Sequence, residues 1–130
     1  MSRANVEIVR RAYDFGGDVD GLLEVCAENI EIRDQPALPG SRVAVGHDAV
    51  RSWYAQLVDG LDYMRFEPQE FIDAGDRVLV VTQATTRGQG SGVEVEMRFS
   101  SVWTLGDGKA VSLISYDTHA EALEAAGLAN

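Results

Sequence analysis

The sequence predicts an α+β fold with one mainly antiparallel β-sheet. Two helical patterns come first, with apolar residues spaced three and four apart, and most of the strand patterns come later in the chain. These later strands follow one another through short turns, so we expect them to pair as hairpins. With 130 residues the chain is long enough to bury a substantial core, and residues 1 to 130 are expected to form a single domain.

The patterns divide the chain into four helices, five strands and one long loop. Asp18 or Asp20 is the expected cap of the second helix, and Gly16-Gly17 the stop of the first. In chain order we predict a helix over residues 2 to 15, a short helix that includes Leu22 and Leu23, a strand over 29 to 34, a loop over 35 to 46 that could cover a cleft, a helix over 48 to 58, strands over 63 to 73 and 77 to 86, a hairpin over 93 to 117 and a helix over 118 to 126.

The hairpin over residues 93 to 117 carries the clearest local signal. Asp107-Gly108 is typical of a two-residue turn, because both central positions need a positive φ. An ungapped turn predicts these opposed pairs: Arg98 with Asp117, Ser100 with Ser115, Val102 with Leu113, Thr104 with Val111, Phe99 with Tyr116, Ser101 with Ile114 and Trp103 with Ser112. A single bulge would change the pairs beyond it. Both faces carry apolar residues, so we expect helices to cover one face and a second subunit the other.

The composition excludes some partners. There are 11 basic and 21 acidic residues, which give a formal net charge of −10. Nucleic acids and anionic membranes attract basic patches, so neither is expected as a partner. The sequence shows no signal-peptide pattern and no stretch of membrane-spanning length, which favours a cytoplasmic protein. Cys26 is the only cysteine and lies among apolar residues, which favours a buried, reduced, structural thiol.

Asp34, at the end of the first strand pattern, is the main candidate for chemistry. Ile30 and Ile32 alternate with charged residues, and Asp34 has the parity of the isoleucines. The alternation therefore directs this carboxylate toward the inside of the fold. Burial disfavours the charged form of a carboxyl group, which can make it useful for proton transfer near neutral pH. The alternative left open is that Asp34 only starts the turn into Gln35-Pro36.

Other side chains are candidates for contacting a ligand. The predicted register places Arg98 opposite Asp117, with Ser100 and Ser115 beside them, which would form a polar patch inside an apolar fold. A structural cross-strand ion pair is the alternative for Arg98 and Asp117. Tyr13 and Trp53 lie on the apolar sides of the first and third helices and could also line a cavity.

Metal and cofactor chemistry is not predicted. The only histidines, His47 and His119, are far apart in the sequence, and no spacing of cysteines or carboxylates matches a ligand set. Lys109 is the only lysine and lies in the hairpin turn, which disfavours amine catalysis. We therefore expect no metal and no cofactor.

Four stretches resemble a known family: DVDGLLEVCAENIEIRD (18 to 34), GHDAVRSWYAQL (46 to 57), GKAVSLISYD (108 to 117) and EALEAAGL (121 to 128). Their order and spacing are similar to the SnoaL-like polyketide cyclase and ketosteroid isomerase branch of the nuclear-transport-factor-2-like superfamily. The resemblance implies a cone-shaped, curved sheet with helices on its concave face (a cystatin-like arrangement) and a deep apolar pocket. It also implies dimerisation through the sheet, which we assign to the face of Phe99, Trp103 and Tyr116.

The resemblance also assigns roles to residues. Asp34 falls where ketosteroid isomerase has its proton-shuttling aspartate. The isomerase's oxyanion-hole tyrosine matches Arg10, with Tyr13 one turn further on, and its oxyanion-hole acid matches Ser100. These differences predict against steroid isomerisation, because the enolate would lose its acidic donors. The strand over 81 to 86 has no Arg or Asp where limonene epoxide hydrolase has them, which predicts against epoxide hydrolysis.

These observations lead to one predicted function and two alternatives. We expect a pocket that binds a small hydrophobic or carbonyl-containing ligand, in a homodimer, with Asp34 as catalytic base of an isomerase or a polyketide-cyclase-like enzyme. The residues predicted to contact the ligand are Tyr13, Trp53, Arg98, Ser100 and Asp117. The alternatives are a non-catalytic ligand-binding protein and a dimerisation module with an incidental cavity.

Overall fold

A computed structural model describes residues 2–14, 19–35 and 42–128 of the chain. Its elements are α1 (Ser2–Ala12), α2 (Val19–Leu23), β1 (Cys26–Arg33), β2 (Val43–Val45), α3 (His47–Val58), β3 (Leu61–Ala74), β4 (Arg77–Gly88), β5 (Glu94–Gly106), β6 (Lys109–Tyr116) and α4 (His119–Ala125). The predicted α+β class is confirmed. The predicted helix stop at Gly16-Gly17 and the cap at Asp18 lie outside the described residues, as do residues 36 to 41 of the predicted loop.

The strands form one curved, open sheet in the order β2-β1-β6-β5-β4-β3. Every pairing is antiparallel except that of β1 with β6, which run parallel. The long hairpins β3–β4 and β5–β6 follow from short turns, as the sequence predicts. The parallel pair brings the end of β1, with Asp34 immediately after it, beside Leu113 and Ile114 of β6.

Part of the predicted loop over residues 35 to 46 is a strand. Val43–Val45 forms β2 and pairs with β1, with Ala44 opposite Ile32. Ala44 is buried, whereas Val43 and Val45 are about half exposed, at 50% and 56%. Three residues are too few for alternation to distinguish a strand from a loop, so only pairing with β1 reveals this element.

The β5–β6 hairpin contains a bulge that shifts the predicted register. Near the turn Gly106 pairs with Lys109, as predicted, and Asp107 and Gly108 have φ values of 53° and 78°. Val111 is then an extra residue on β6, because Leu105 pairs with Ala110 but Thr104 pairs with Ser112. The pairs predicted beyond this point are therefore wrong. The observed pairs are Ser100 with Tyr116, Ser101 with Ser115, Val102 with Ile114 and Trp103 with Leu113.

Helices cover both faces of the sheet. The face that carries Val78, Val80 and Trp103, here called the inner face, packs against apolar residues of α1, α2 and α3. The opposite or outer face packs Leu79, Val81 and Val102 against Ala122 and Ala126 in and just after α4. Thus α1 to α3 lie over the concave side, as expected, while α4 lies on the other side. Within the described residues no helix is long and apolar enough to cross a membrane.

The three residues assigned to the face for a second subunit, Phe99, Trp103 and Tyr116, do not lie on one face of the sheet. Trp103 is only 2% exposed and packs in the inner core, and Phe99 contacts the inner-face residue Phe66 edge to face. Tyr116 packs with the outer cluster instead, because the bulge at Val111 reverses the facing of the residues after it. A homodimer stays a prediction, without a contribution from Phe99 or Trp103.

Candidate functional site

A cavity of about 160 Å³ lies between the inner face of the sheet and the helices. Its apolar and aromatic lining residues are Ala12, Tyr13, Leu22, Ile32, Trp53, Tyr54, Leu57, Met64, Phe66, Ala84, Val95, Met97, Phe99, Trp103 and Leu113, and its polar ones are Asp34, Gln35, Thr86, Ser101 and Ser115. Val95 and Met97 are also exposed to solvent, which places the mouth of the cavity beside them. The volume and the lining suit a small, mainly apolar molecule.

Asp34 presents its carboxylate to this cavity. The residue follows β1, in which Ile30 and Ile32 point into the core, so the alternation of the strand explains its inward orientation. The side chain is 14% exposed, and Oδ1 accepts a hydrogen bond of 2.9 Å from Nε1 of Trp53 on α3. Its Oδ2 lies 4.0 Å from Nε of Arg42, so both oxygens have a positively polarised neighbour.

Tyr13, just after α1, presents its hydroxyl to a group of buried donors. The phenol oxygen accepts a hydrogen bond of 3.1 Å from Nε1 of Trp103 and a longer one of 3.5 Å from the Thr82 hydroxyl. Burial raises the pKa of the Tyr13 phenol, and the two hydrogen bonds partly offset that effect. Because an indole N–H can only donate, the phenol is an acceptor toward Trp103 and keeps its own proton for another acceptor.

Arg10, which the resemblance matches to the oxyanion-hole tyrosine, does not line the cavity. Its side chain is exposed, with the guanidinium 4.4 Å from the ring centroid of Phe71 and an ion pair to Glu7. Tyr13, one turn further along, is the residue of this segment that lines the cavity. The phenol at this end of the cavity therefore belongs to Tyr13, one turn after the position that the resemblance matches to the isomerase tyrosine.

Two serines also line the cavity: Ser115, which the sequence placed in the Arg98–Asp117 patch, and Ser101, which sequence analysis did not select. Ser101 and Ser115 are opposite one another on β5 and β6, and their hydroxyl oxygens are 2.9 Å apart. Only one of the two hydroxyl protons can be used between them, so the other can be donated elsewhere. The ungapped register placed Ser101 opposite Ile114, and only knowledge of the bulge could have shown the serine pair.

Three predicted ligand contacts lie away from this cavity. Arg98, Ser100 and Asp117 line a separate groove on the outer side of the sheet. Ser100 is buried there, and its hydroxyl is 2.8 Å from Nδ1 of His119. Along β5 the side chains at 98 and 100 point opposite to those at 99 and 101, so the structure does not bring these residues together with Asp34.

Cys26 is free and buried in the inner core, with Sγ donating to the carbonyl oxygen of Leu22. Burial raises the pKa of the thiol from 9.0 to about 11, although Lys109 lowers it slightly. The folded state thus keeps a proton that the unfolded state releases near pH 9. Stability from this group is complete below pH 9 and is lost as the pH rises toward 11.

We expect Cys26→Ala to change the pH dependence of unfolding in a defined direction. The free energy of unfolding of the wild type should fall relative to that of the variant between pH 9 and 11, by on the order of 2 kcal/mol. Urea unfolding at several pH values measures this difference. Parallel curves for the two proteins over that interval would contradict the raised pKa.

An open, curved sheet with helices over its concave side and an apolar cavity between them defines a nuclear-transport-factor-2-like protein. The sequence pattern of the SnoaL-like domain matches residues 9–113, and the chain belongs to that family. No functionally curated protein matches the chain.

Solved structures agree with this assignment. A nuclear-transport-factor-2-like protein from Burkholderia xenovorans LB400 is 30% identical, with 97% of each chain covered and a TM-score of 0.74. A protein proposed to be a SnoaL-like polyketide cyclase, from Jannaschia sp. CCS1, is 23% identical over 99% of this chain and 94% of the other, with a TM-score of 0.76. TerC, crystallised with polyporic acid, is 24% identical over 95% and 98% of the two chains, with a TM-score of 0.78. The last two likenesses, both below 25% identity, show the fold alone.

Proposed function

We propose that the protein catalyses proton transfer next to a carbonyl group in a small, mainly apolar ligand, with Asp34 as the base and without a cofactor. The carboxylate removes a proton from the carbon beside the carbonyl; the C–H electron pair forms the C=C bond of an enolate, and the π pair of the carbonyl moves to its oxygen. Protonated Asp34 then returns the proton to the same carbon, which gives exchange or epimerisation, or to another carbon, which gives isomerisation. Alternatively, the enolate carbon forms a C–C bond to a second carbonyl of the ligand, and the resulting alkoxide takes the proton from Asp34, which gives cyclisation.

The observation that carries the proposal is the position of the Asp34 carboxylate in an otherwise uncharged cavity lining. Among the described residues that line the cavity, it is the only one with a charged side chain. A carboxylate in apolar surroundings exchanges few hydrogen bonds with water, so it is available to a C–H acid held against it. Asp34 occupies the position of the proton-shuttling aspartate in the resemblance to ketosteroid isomerase, and the chain belongs to the SnoaL-like family, which favours a carbonyl compound as the ligand.

The cavity also offers donors for the enolate oxygen. Tyr13 keeps a phenolic proton while it accepts from Trp103, and the Ser101–Ser115 pair has one hydroxyl proton to spare. Neutral donors of this kind stabilise negative charge on an oxygen as it develops. We propose that one of these two groups contacts the ligand carbonyl.

Exchange of α-protons in deuterium oxide tests the proposed function. We expect the protein to accelerate deuterium incorporation next to the carbonyl of 1-indanone or 2-tetralone, followed by ¹H NMR against buffer alone. Indane has the same ring system without a carbonyl, so it should compete with 1-indanone and slow the exchange. Saturable binding of these ketones with exchange only at the buffer rate would contradict catalysis and favour the non-catalytic binding protein.

A further inference from the structure

Arg42 lies beside Asp34 and has an incomplete set of hydrogen bonds. Its carbonyl oxygen accepts from the Asp34 amide at 3.2 Å, which fixes the two backbones together. Its Nη1 donates to Oε1 of Gln56 on α3. Its Nε is buried, and among the described residues it has no hydrogen-bond partner; the Asp34 carboxylate, at 4.0 Å, is just beyond bonding distance.

Two residues of α3 therefore influence the position of the Asp34 carboxylate. Trp53 donates directly to Oδ1, while Gln56 holds the guanidinium that faces Oδ2. The two α3 residues are three positions apart and so lie on neighbouring parts of one helix surface. The carboxylate is thus placed between an indole N–H on one oxygen and a cation near the other.

The charge balance explains what the guanidinium does there. A mostly buried carboxylate loses most of its contact with water, and a cation close by offsets that loss. Arginine remains charged under all ordinary conditions, so Arg42 supplies a permanent cation at this position. A buried N–H without a partner is unfavourable in itself. Arg42 nevertheless keeps its Nε beside Asp34, the one charged residue among the described residues of the cavity lining.

We propose that Arg42 is a positioning residue for Asp34, a role that rests on the proposed function. Its guanidinium stabilises the ionised carboxylate from the Oδ2 side and keeps the side chain directed into the cavity, and Gln56 holds the guanidinium in place. Arg42 acts on the reaction through Asp34 and does not take part in the transfer of the proton.

The two tryptophans of the chain provide a test that does not depend on activity. The indole N–H of Trp53 bonds to Asp34, and that of Trp103 bonds to Tyr13. In ¹⁵N-labelled protein we expect Arg42→Gln to move the Trp53 indole resonance and to leave the Trp103 resonance in place. Trp53→Phe assigns the two signals, and an unmoved Trp103 signal shows that the variant is folded.

Arg51→Gln is the matched control, because it removes the same charge from the same region. Arg51 bonds to the surface carboxylates of Asp20 and Asp48 instead of to Asp34. In the exchange assay, Arg42→Gln should lower kcat by roughly tenfold to a hundredfold with little change in KM. Arg42→Lys should recover part of the loss by restoring the charge, and Arg51→Gln should behave as the wild type.

The outcomes separate this proposal from the proposed function. A Trp53 signal that moves in Asp34→Asn but not in Arg42→Gln would overturn the role of Arg42, whatever the activity. If the Trp53 signal moves in Arg42→Gln but the wild type catalyses no exchange, Arg42 positions Asp34 and the proton-transfer function is refuted. A wild-type kcat in Arg42→Gln would overturn the proposal even if exchange itself is catalysed.

Discussion

Asp34→Asn is expected to reduce α-proton exchange by roughly 10²- to 10⁴-fold, the range typical for loss of a general base. The amide oxygen of Asn can still accept the hydrogen bond that Trp53 gives to Oδ1, so the side chain should keep its place in the cavity wall. The substitution therefore removes the basic group while keeping the size and shape of the side chain. Ketone binding, measured by quenching of tryptophan fluorescence, should therefore change much less than the exchange rate does.

The control for this variant is Asp48→Asn. Asp48 lies in the first turn of α3, is fully exposed and pairs with Arg51 on the surface. Its replacement removes one negative charge near the site while leaving the cavity intact, and the exchange rate should stay within about twofold of the wild type. If Asp34→Asn retained exchange at the wild-type rate, another residue would have to be the base.

Trp103→Ala should cause the largest loss of stability of any variant considered for this protein. The indole is 2% exposed, packs edge to face with Tyr13 at 5.8 Å and donates to its hydroxyl. Truncation of a buried tryptophan removes apolar contacts and leaves a cavity, which costs about 3–5 kcal/mol in the free energy of unfolding. The Tyr13 phenol would lose its shorter hydrogen bond at the same time.

Urea unfolding measures the effect, and Trp103→Phe provides a milder variant in case the alanine protein does not fold. Trp53→Ala is the matched control, because Trp53 is only half-buried and should cost clearly less. We also expect the enlarged cavity of Trp103→Ala to accept bulkier ketones than the wild type does. A loss in Trp103→Ala no larger than that in Trp53→Ala would show that the inner core does not depend on this residue.

Several features of the fold were predictable because local sequence determines them. The Asp107-Gly108 turn adopts positive φ at both positions, which few other residue pairs tolerate. Asp34 has the parity of two buried isoleucines, and a strand with alternation of period two directs all three to the same side. The apolar spacing of α3 likewise predicts its extent almost to the residue.

Which serines line the cavity depends on the bulge at Val111, which no local sequence pattern marks. Sequence analysis selected Ser100, Arg98 and Asp117 from an ungapped register, whereas the bulge at Val111 brings Ser115 opposite Ser101 in the cavity. Register is read from the contrast between a buried and an exposed face. In β5 and β6 both faces are covered, so that contrast is weak and the shift went undetected.

The sequence by itself determined the order of the elements, the tight turn of the last hairpin and the inward orientation of Asp34. The tertiary structure alone decided which residues meet that carboxylate: Trp53 from α3, Arg42 from the segment leading into β2, and Tyr13 and the serine pair elsewhere in the lining of the same cavity. The physical reason is that turn geometry and strand alternation act between neighbours in the chain. The cavity, in contrast, depends on contacts between distant segments, which form only when strands pair and helices pack.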